Sequence, residues 1–150
     1  MSTSNSPDAI VLLRADHHKV KISFKEFEAL GDKAYRSKEK IVEQICQELT
    51  VHMQAEEEVF YPALYADVKD SADLVNEAIV EHAGAKDLIK QLQNMRAEDE
   101  FYDPTVKVLS EQIEHHIEEE EEKIFPLARN SDLDLKFLGQ KIEDIKNKAI

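Results

Sequence analysis

Four histidines and two glutamates carry the chemistry available to this chain. His17, His52, His82 and His116 lie in four separate segments, and Glu56 and Glu120 each follow a histidine by four residues. Residues four apart share one face of a helix, about one turn apart. Each His-x-x-x-Glu pair can therefore hold one ion or two neighbouring ions. The donor set is nitrogen and oxygen without thiolate, which suits iron or manganese, with zinc and copper as substitutes in vitro. Six side chains exceed the needs of an ordinary structural zinc. They fit two octahedral ions, with the glutamates bridging and solvent or oxygen species completing the shells. Packing alone explains the set poorly, because buried imidazoles and carboxylates are costly unless paired or metal-bound.

The elements that must position these residues are helical. Ile10, Leu13, His17, Val20, Phe24 and Phe27 step by three or four, one helical stripe. Ser6-Pro7 predicts the N-cap and first helical position, and Gly31 the stop. A second helix is expected from about Lys33 to Leu64, with Ile41, Ile45, Leu49, His52, Glu56 and Val59 in phase and Pro62 bending or ending it. Asp70-Ser71 caps a third, through Val75, Ala78, His82, Ala85 and Ile89. Asp103-Pro104 opens a fourth, through Leu109, Ile113, His116, Glu120, Ile124 and Leu127. Ser131 and Asp134 open a short C-terminal helix, about residues 131–147. The predicted fold is all-α: an antiparallel up-down four-helix bundle with a short additional C-terminal helix, a single domain over residues 1–150.

The second and fourth helices repeat one motif. His52 to Pro62 and His116 to Pro126 both read H-x-x-x-E-E-E-x-x-[YF]-P, while Asp16-His17 aligns with Glu81-His82. Together, A-D-H-H, V-H-M-Q-A-E-E-E-V-F-Y-P, E-H-A-G-A-K and H-H-I-E-E-E-E-E-K-I-F-P resemble the hemerythrin HHE cation-binding domain over roughly residues 8–128. The resemblance implies two non-haem iron ions, joined as Fe–O–Fe or through hydroxide. Carried across by motif, their ligands are the metal residues His17, His52, Glu56, His82, His116 and Glu120. It also implies small-molecule ligands: dioxygen, peroxide, nitric oxide or azide.

Two positions depart from the oxygen-carrying hemerythrins. Their third helix has a second histidine where this chain has Lys86, and their fourth uses H-x-x-x-x-D where this chain has H-x-x-x-E. One metal would then keep an extra open or water-filled position, which favours redox chemistry over simple reversible carriage. No E-x-x-H pair occurs, which disfavours the ferritin-like di-iron proteins.

Several neighbours have plainer readings. His18 and His115 lie about 100° around the helix from their neighbours and read as peripheral, although His115 with Glu119 offers another frame. Glu57, Glu58, Glu121 and Glu122 read as solvated. Tyr61 and Phe125, equivalent in the repeat, are expected near the site. Asp16 and Glu81 either orient imidazoles or are surface acids. Cys46, the lone cysteine, reads as an inert thiol.

Composition narrows the function classes. The net charge of −13 argues against nucleic acid and anionic membranes. With three glycines in 150 residues, an all-β fold lacks its turns. A single cysteine cannot form an internal disulfide, no apolar run reaches a membrane span, and the N-terminus has no secretory pattern, so a cytoplasmic protein is expected. The leading function is a non-haem di-iron protein that binds or reacts with dioxygen, peroxide or nitric oxide. The alternatives are an iron- or oxygen-sensing module without catalysis and a di-iron peroxidase.

Overall fold

The computed structural model describes residues 7–149. Helices α1 (Ala9–Glu28) and α2 (Tyr35–Ala55) form one hairpin, and α4 (Ala72–Gln93) and α5 (Tyr102–Glu119) the other. The second and fourth rods do not end at α2 and α5. Each passes through a π-helical turn, Glu56–Phe60 or Glu120–Ile124, into a short continuation: α3 (Tyr61–Asp67) or α6 (Phe125–Arg129). Helix α7 (Leu135–Lys148) then packs against α1 and α2. The all-helical architecture is the expected one. At 14 residues, α7 is a packed layer with Leu138, Gly139 and Ile142 buried.

The helix ends differ from expectation in instructive ways. Ser6 lies outside the described residues, and the N-cap of α1 is Asp8, whose carboxylate accepts from Val11 N–H at 2.9 Å. Such a cap contributes about 1 kcal/mol. Helix α1 stops at Glu28, three residues before Gly31, and among the described residues only Asp70 has a positive φ, 67°. Ser71 occupies the N-cap of α4, but its hydroxyl donates to the Leu64 and Val68 carbonyls instead of accepting from the new helix. Tyr102 starts α5, placing Pro104 in the first turn, where a missing N–H is harmless. Helix α7 begins at Leu135, later than the expected start at Ser131: the Ser131 hydroxyl donates to Ala128 O, and Asp134 alone caps the helix, accepting from Phe137 N–H.

Pro62 and Pro126 do not end their rods, which run on as α3 and α6. Each follows a π-turn closed by a bond from Tyr61 N–H to Glu56 O or from Phe125 N–H to Glu120 O. A π-turn inserts one extra residue into the helical repeat and rotates everything after it. The deeply buried residues are consequently Phe60 and Ala128, not Val59 and Leu127, which are only partly buried. Straight extrapolation of a 3.6-residue period misses this shift.

The apolar interior is split in two. One cluster holds Val20, Leu49, Ala85 and Ile113; the other holds Leu13, Phe60, Ala78 and Ile124, with Leu138 and Ile142 of α7. Along each of the four rods the stripe passes from one cluster to the other at a histidine. A buried polar layer therefore crosses the bundle between two hydrocarbon cores.

Candidate metal centre

The structure brings all six expected residues into that layer. His17, His52, Glu56, His82, His116 and Glu120 are all buried, with the two glutamates at 0% exposure. His17, His52, Glu56 and Glu120 form one group of facing donor atoms, and Glu56, His82 and His116 form another. Glu56 belongs to both. Its Oε1 lies 3.0 Å from His82 Nε2, 3.4 Å from His52 Nε2 and 3.7 Å from His116 Nε2. Glu120 Oε1 lies 3.0 Å from His17 Nε2. His82 and His116 face each other with Nε2 atoms 3.3 Å apart.

Every imidazole is held from behind by a carboxylate. His17 Nδ1 donates to Glu121 at 2.7 Å, His52 to Asp16 at 2.8 Å, His82 to Glu57 at 2.7 Å and His116 to Glu81 at 2.7 Å. An ionised carboxylate can only accept, so each Nδ1 carries hydrogen and each Nε2 is turned inward. This arrangement fixes ring orientation and raises the donor strength of the inner nitrogen.

The four outer carboxylates follow the internal repeat and cross between helices. Asp16 orients His52 instead of its neighbour His17, and Glu81 orients His116 instead of His82. This resolves their open reading in favour of imidazole orientation. Glu57 and Glu121, expected to be solvated, hold His82 and His17. Their only signal in the sequence is that each follows a buried glutamate at the same place in the repeat. Glu58 and Glu122 are exposed, as expected, as are His18 and His115.

The two halves part company at Tyr61 and Phe125. The Tyr61 hydroxyl donates to Glu120 Oε2 at 2.5 Å, and its ring is tilted against His82. Phe125 stacks on His17 with ring centroids 5.6 Å apart and planes 8° apart. Lys86 carries its ammonium outward to Glu57 Oε1 at 2.7 Å, away from any ligand role. Cys46 is buried, and burial pushes its thiol up to about 11, which keeps it inert.

The electrostatics of the bare site are unbalanced. Burial opposes charge on His52, yet the Glu56 and Asp16 carboxylates push it up to about 10. Burial also opposes charge on His116, and Glu56, Glu81 and Glu120 push it up to about 11. Burial works against ionised Glu56, but the facing histidine charges hold it well below the carboxylate range. Glu120 is raised, by burial and by Glu56 beside it. Protons thus balance the carboxylates where a cation would do so. Two buried atoms of the centre have no hydrogen-bond partner among the described residues, His52 Nε2 and Glu56 Oε2. Such buried orphans are costly, and both are good donors to a metal ion. The residues present fit a cation.

A cavity of about 20 Å³ adjoins the histidines, walled by Val20, Leu49, Met53, Ala85, Ile113 and Ile117. One water needs roughly 10–15 Å³ on this measure, so the space suits a very small ligand.

The family model described as Hemerythrin HHE cation binding domain matches residues 8–128, and the chain belongs to that family. A crystal structure of a hemerythrin HHE cation binding domain-containing protein from Mycobacterium kansasii shares the fold, with a TM-score of 0.80 and 21% identity over 95% of this chain and 87% of that one. The chain is also 30% identical over 125 residues to a protein named DNA nickase from Nostoc sp., covering 80% of this chain but only 33% of that relative. No described helix is long and apolar enough to cross a membrane.

Proposed function

We propose that this chain is a non-haem di-iron protein. In this reading His17, His52, Glu56, His82, His116 and Glu120 hold two iron ions, and the centre binds or reacts with dioxygen, peroxide or nitric oxide. The observation that carries it is the pair of facing donor groups sharing Glu56, in which His52 Nε2 and Glu56 Oε2 make no hydrogen bond among the described residues. A single ion would leave one group of buried donors uncompensated.

Bound iron would supply electron transfer and coordination positions open to small ligands. The chain's own residues do the rest. Asp16, Glu57, Glu81 and Glu121 fix each imidazole with Nε2 inward. Tyr61 keeps a proton on its oxygen, because burial and the nearby Glu120 and Glu56 charges raise its pKa well above the ordinary value. It is thus a hydrogen-bond donor at the edge of the centre. The cavity wall is mainly apolar, with Glu48 and Gln112 also lining it, and its size limits ligands to a few atoms.

Lys86 bears on the kind of chemistry. Its ammonium is committed to Glu57 at the surface, so a metal held near His82 would receive no ligand from that position. Such an ion would keep a place for a small ligand, which favours onward oxidation over intact release of oxygen. The net charge of −13 gives no support for nucleic acid as a partner. The bundle and α7, which share one apolar cluster, are read as a single domain.

The test is rapid mixing of the iron-reconstituted, anaerobically reduced protein with dioxygen, followed by absorbance. The proposal expects prompt oxidation with a short-lived or absent oxygen adduct, and azide binding to the oxidised form. A long-lived, fully reversible adduct would replace redox chemistry with carriage. No reaction with dioxygen, peroxide or nitric oxide in a protein holding two iron ions would leave only a cation-binding role.

A further inference from the structure

We infer that Lys146, carried by the C-terminal helix α7, is a positioning residue for the metal centre, acting on His52 through Asp16. The inference rests on the di-iron reading above. The Asp16 carboxylate has two separate donors. His52 Nδ1 bonds to Oδ2 at 2.8 Å, and the Lys146 ammonium bonds to Oδ1. Asp16 and Lys146 are 130 positions apart in the chain, so this contact exists only because α7 folds back onto α1.

A glycine sets how close α7 can come. A Cβ at Gly139 would lie 2.4 Å from the Pro7 carbonyl oxygen and 3.0 Å from the Asp8 carbonyl carbon. Only glycine lets the helix cross the start of α1 there. Ile142, at 0% exposure, anchors the next turn, and Lys146 follows one turn later on the same face. The helix is thereby set at the distance where the ammonium reaches Asp16.

The equivalent place in the other half is built differently. His116 is held by Glu81, whose second oxygen faces, among the described residues, the exposed His115 imidazole at 3.6 Å and no lysine or arginine. His52 and His116 are thus matched by the repeat and unmatched behind. A carboxylate accepting from Nδ1–H makes Nε2 a stronger donor to a metal. An ammonium on the carboxylate's other oxygen withdraws part of that effect and also pins the carboxylate. Lys146 therefore moderates the donor strength of His52 and fixes its ring.

The experiment uses full-length, iron-reconstituted protein: wild type, Lys146→Met, Lys146→Arg, Gly139→Ala, Asp16→Asn, and Asp16→Asn with Lys146→Met. Iron content is measured first, then the reduction potential and the iron affinity. Asp16→Asn should raise the potential and weaken affinity by about 10–100-fold. Lys146→Met should lower the potential, with a smaller loss of affinity. Lys146→Arg should stay near wild type. Gly139→Ala, which removes no group from the site, should shift the potential the same way as Lys146→Met. In the double variant the lysine substitution should add nothing to Asp16→Asn, because its route has been removed. A loaded Lys146→Met protein with the wild-type potential would overturn the inference alone. So would a Lys146→Met shift undiminished in the Asp16→Asn background, which would reveal a general charge effect. A wild-type chain that holds no iron would overturn the di-iron reading and this inference with it.

Discussion

Tyr61 donates its hydroxyl hydrogen to Glu120 Oε2 at 2.5 Å, and that bond has no equivalent in the other half of the repeat, where Phe125 stacks on His17. Glu120 is fully buried, so the donor it loses in Tyr61→Phe cannot be replaced by bulk water. Leaving a buried acceptor without its donor costs about 1–3 kcal/mol. Tyr61→Phe should lower the unfolding free energy of the metal-free protein by about 2 kcal/mol on that scale, while iron is still retained. Denaturant titration checks the first part and metal analysis the second. An unchanged unfolding midpoint would mean the hydroxyl does not hold Glu120 in solution.

Histidines inside and outside the layer should behave differently. His52→Ala and His116→Ala each remove an inward nitrogen and should sharply reduce retained iron after gel filtration. His18 is exposed on the neighbouring face of α1, and His18→Ala should retain iron as the wild type does. Loss of iron from His18→Ala would show that the helical phase of the site is wrong.

The inner six residues were legible in the sequence because helical phase is a local property. A histidine in step with Leu13 and Val20, or with Leu49 and Ile45, must face inward whatever the neighbouring helices do. The outer carboxylates were legible only in part, because each acts across a helix–helix contact. Asp16 stands next to His17 yet serves His52, and nothing local reveals that crossing. Glu57 and Glu121 were hidden for another reason. Each is the second residue of a π-turn, still part-exposed, and reaches an imidazole on another helix, whereas an ordinary helical wheel places it in solvent. The burial of Phe60 in place of Val59 has the same origin. Lys146 was illegible, since its partner lies across the whole chain.

Those outer acids yield a prediction of their own. Glu57→Gln and Glu121→Gln each weaken the acceptor behind an inward-facing imidazole, and on the proposed reading metal affinity should fall by about 10–100-fold. Glu58→Gln, at an exposed position, should change nothing. Competition with a calibrated chelator measures all three. Equal affinities across the set would return Glu57 and Glu121 to the solvated face.

The charge balance of the bare site predicts how pH acts. His52 and His116 are pushed up to about 10 and about 11, so both keep a proton at neutral pH in the metal-free protein. Metal needs the free nitrogen, so iron uptake near pH 7 should release protons and its affinity should rise with pH. Calorimetric titration in buffers of different ionisation heats counts the protons. The sign for metal-free stability is the opposite. Histidines raised on folding contribute stability that is fully present below about pH 6.5 and lost as pH rises through 10–11. Glu56 is lowered on folding, so its contribution is present above about pH 4.5 and lost as pH falls. The metal-free protein should be most stable in mildly acid solution, and iron should shift the optimum upward. A pH-independent iron affinity would contradict the proton count.

The most direct measurement is the iron content of the chain after anaerobic reconstitution and removal of loosely held metal. Two facing donor groups that share Glu56 predict about two iron ions per chain. At most one tightly held ion per chain would contradict the di-iron account.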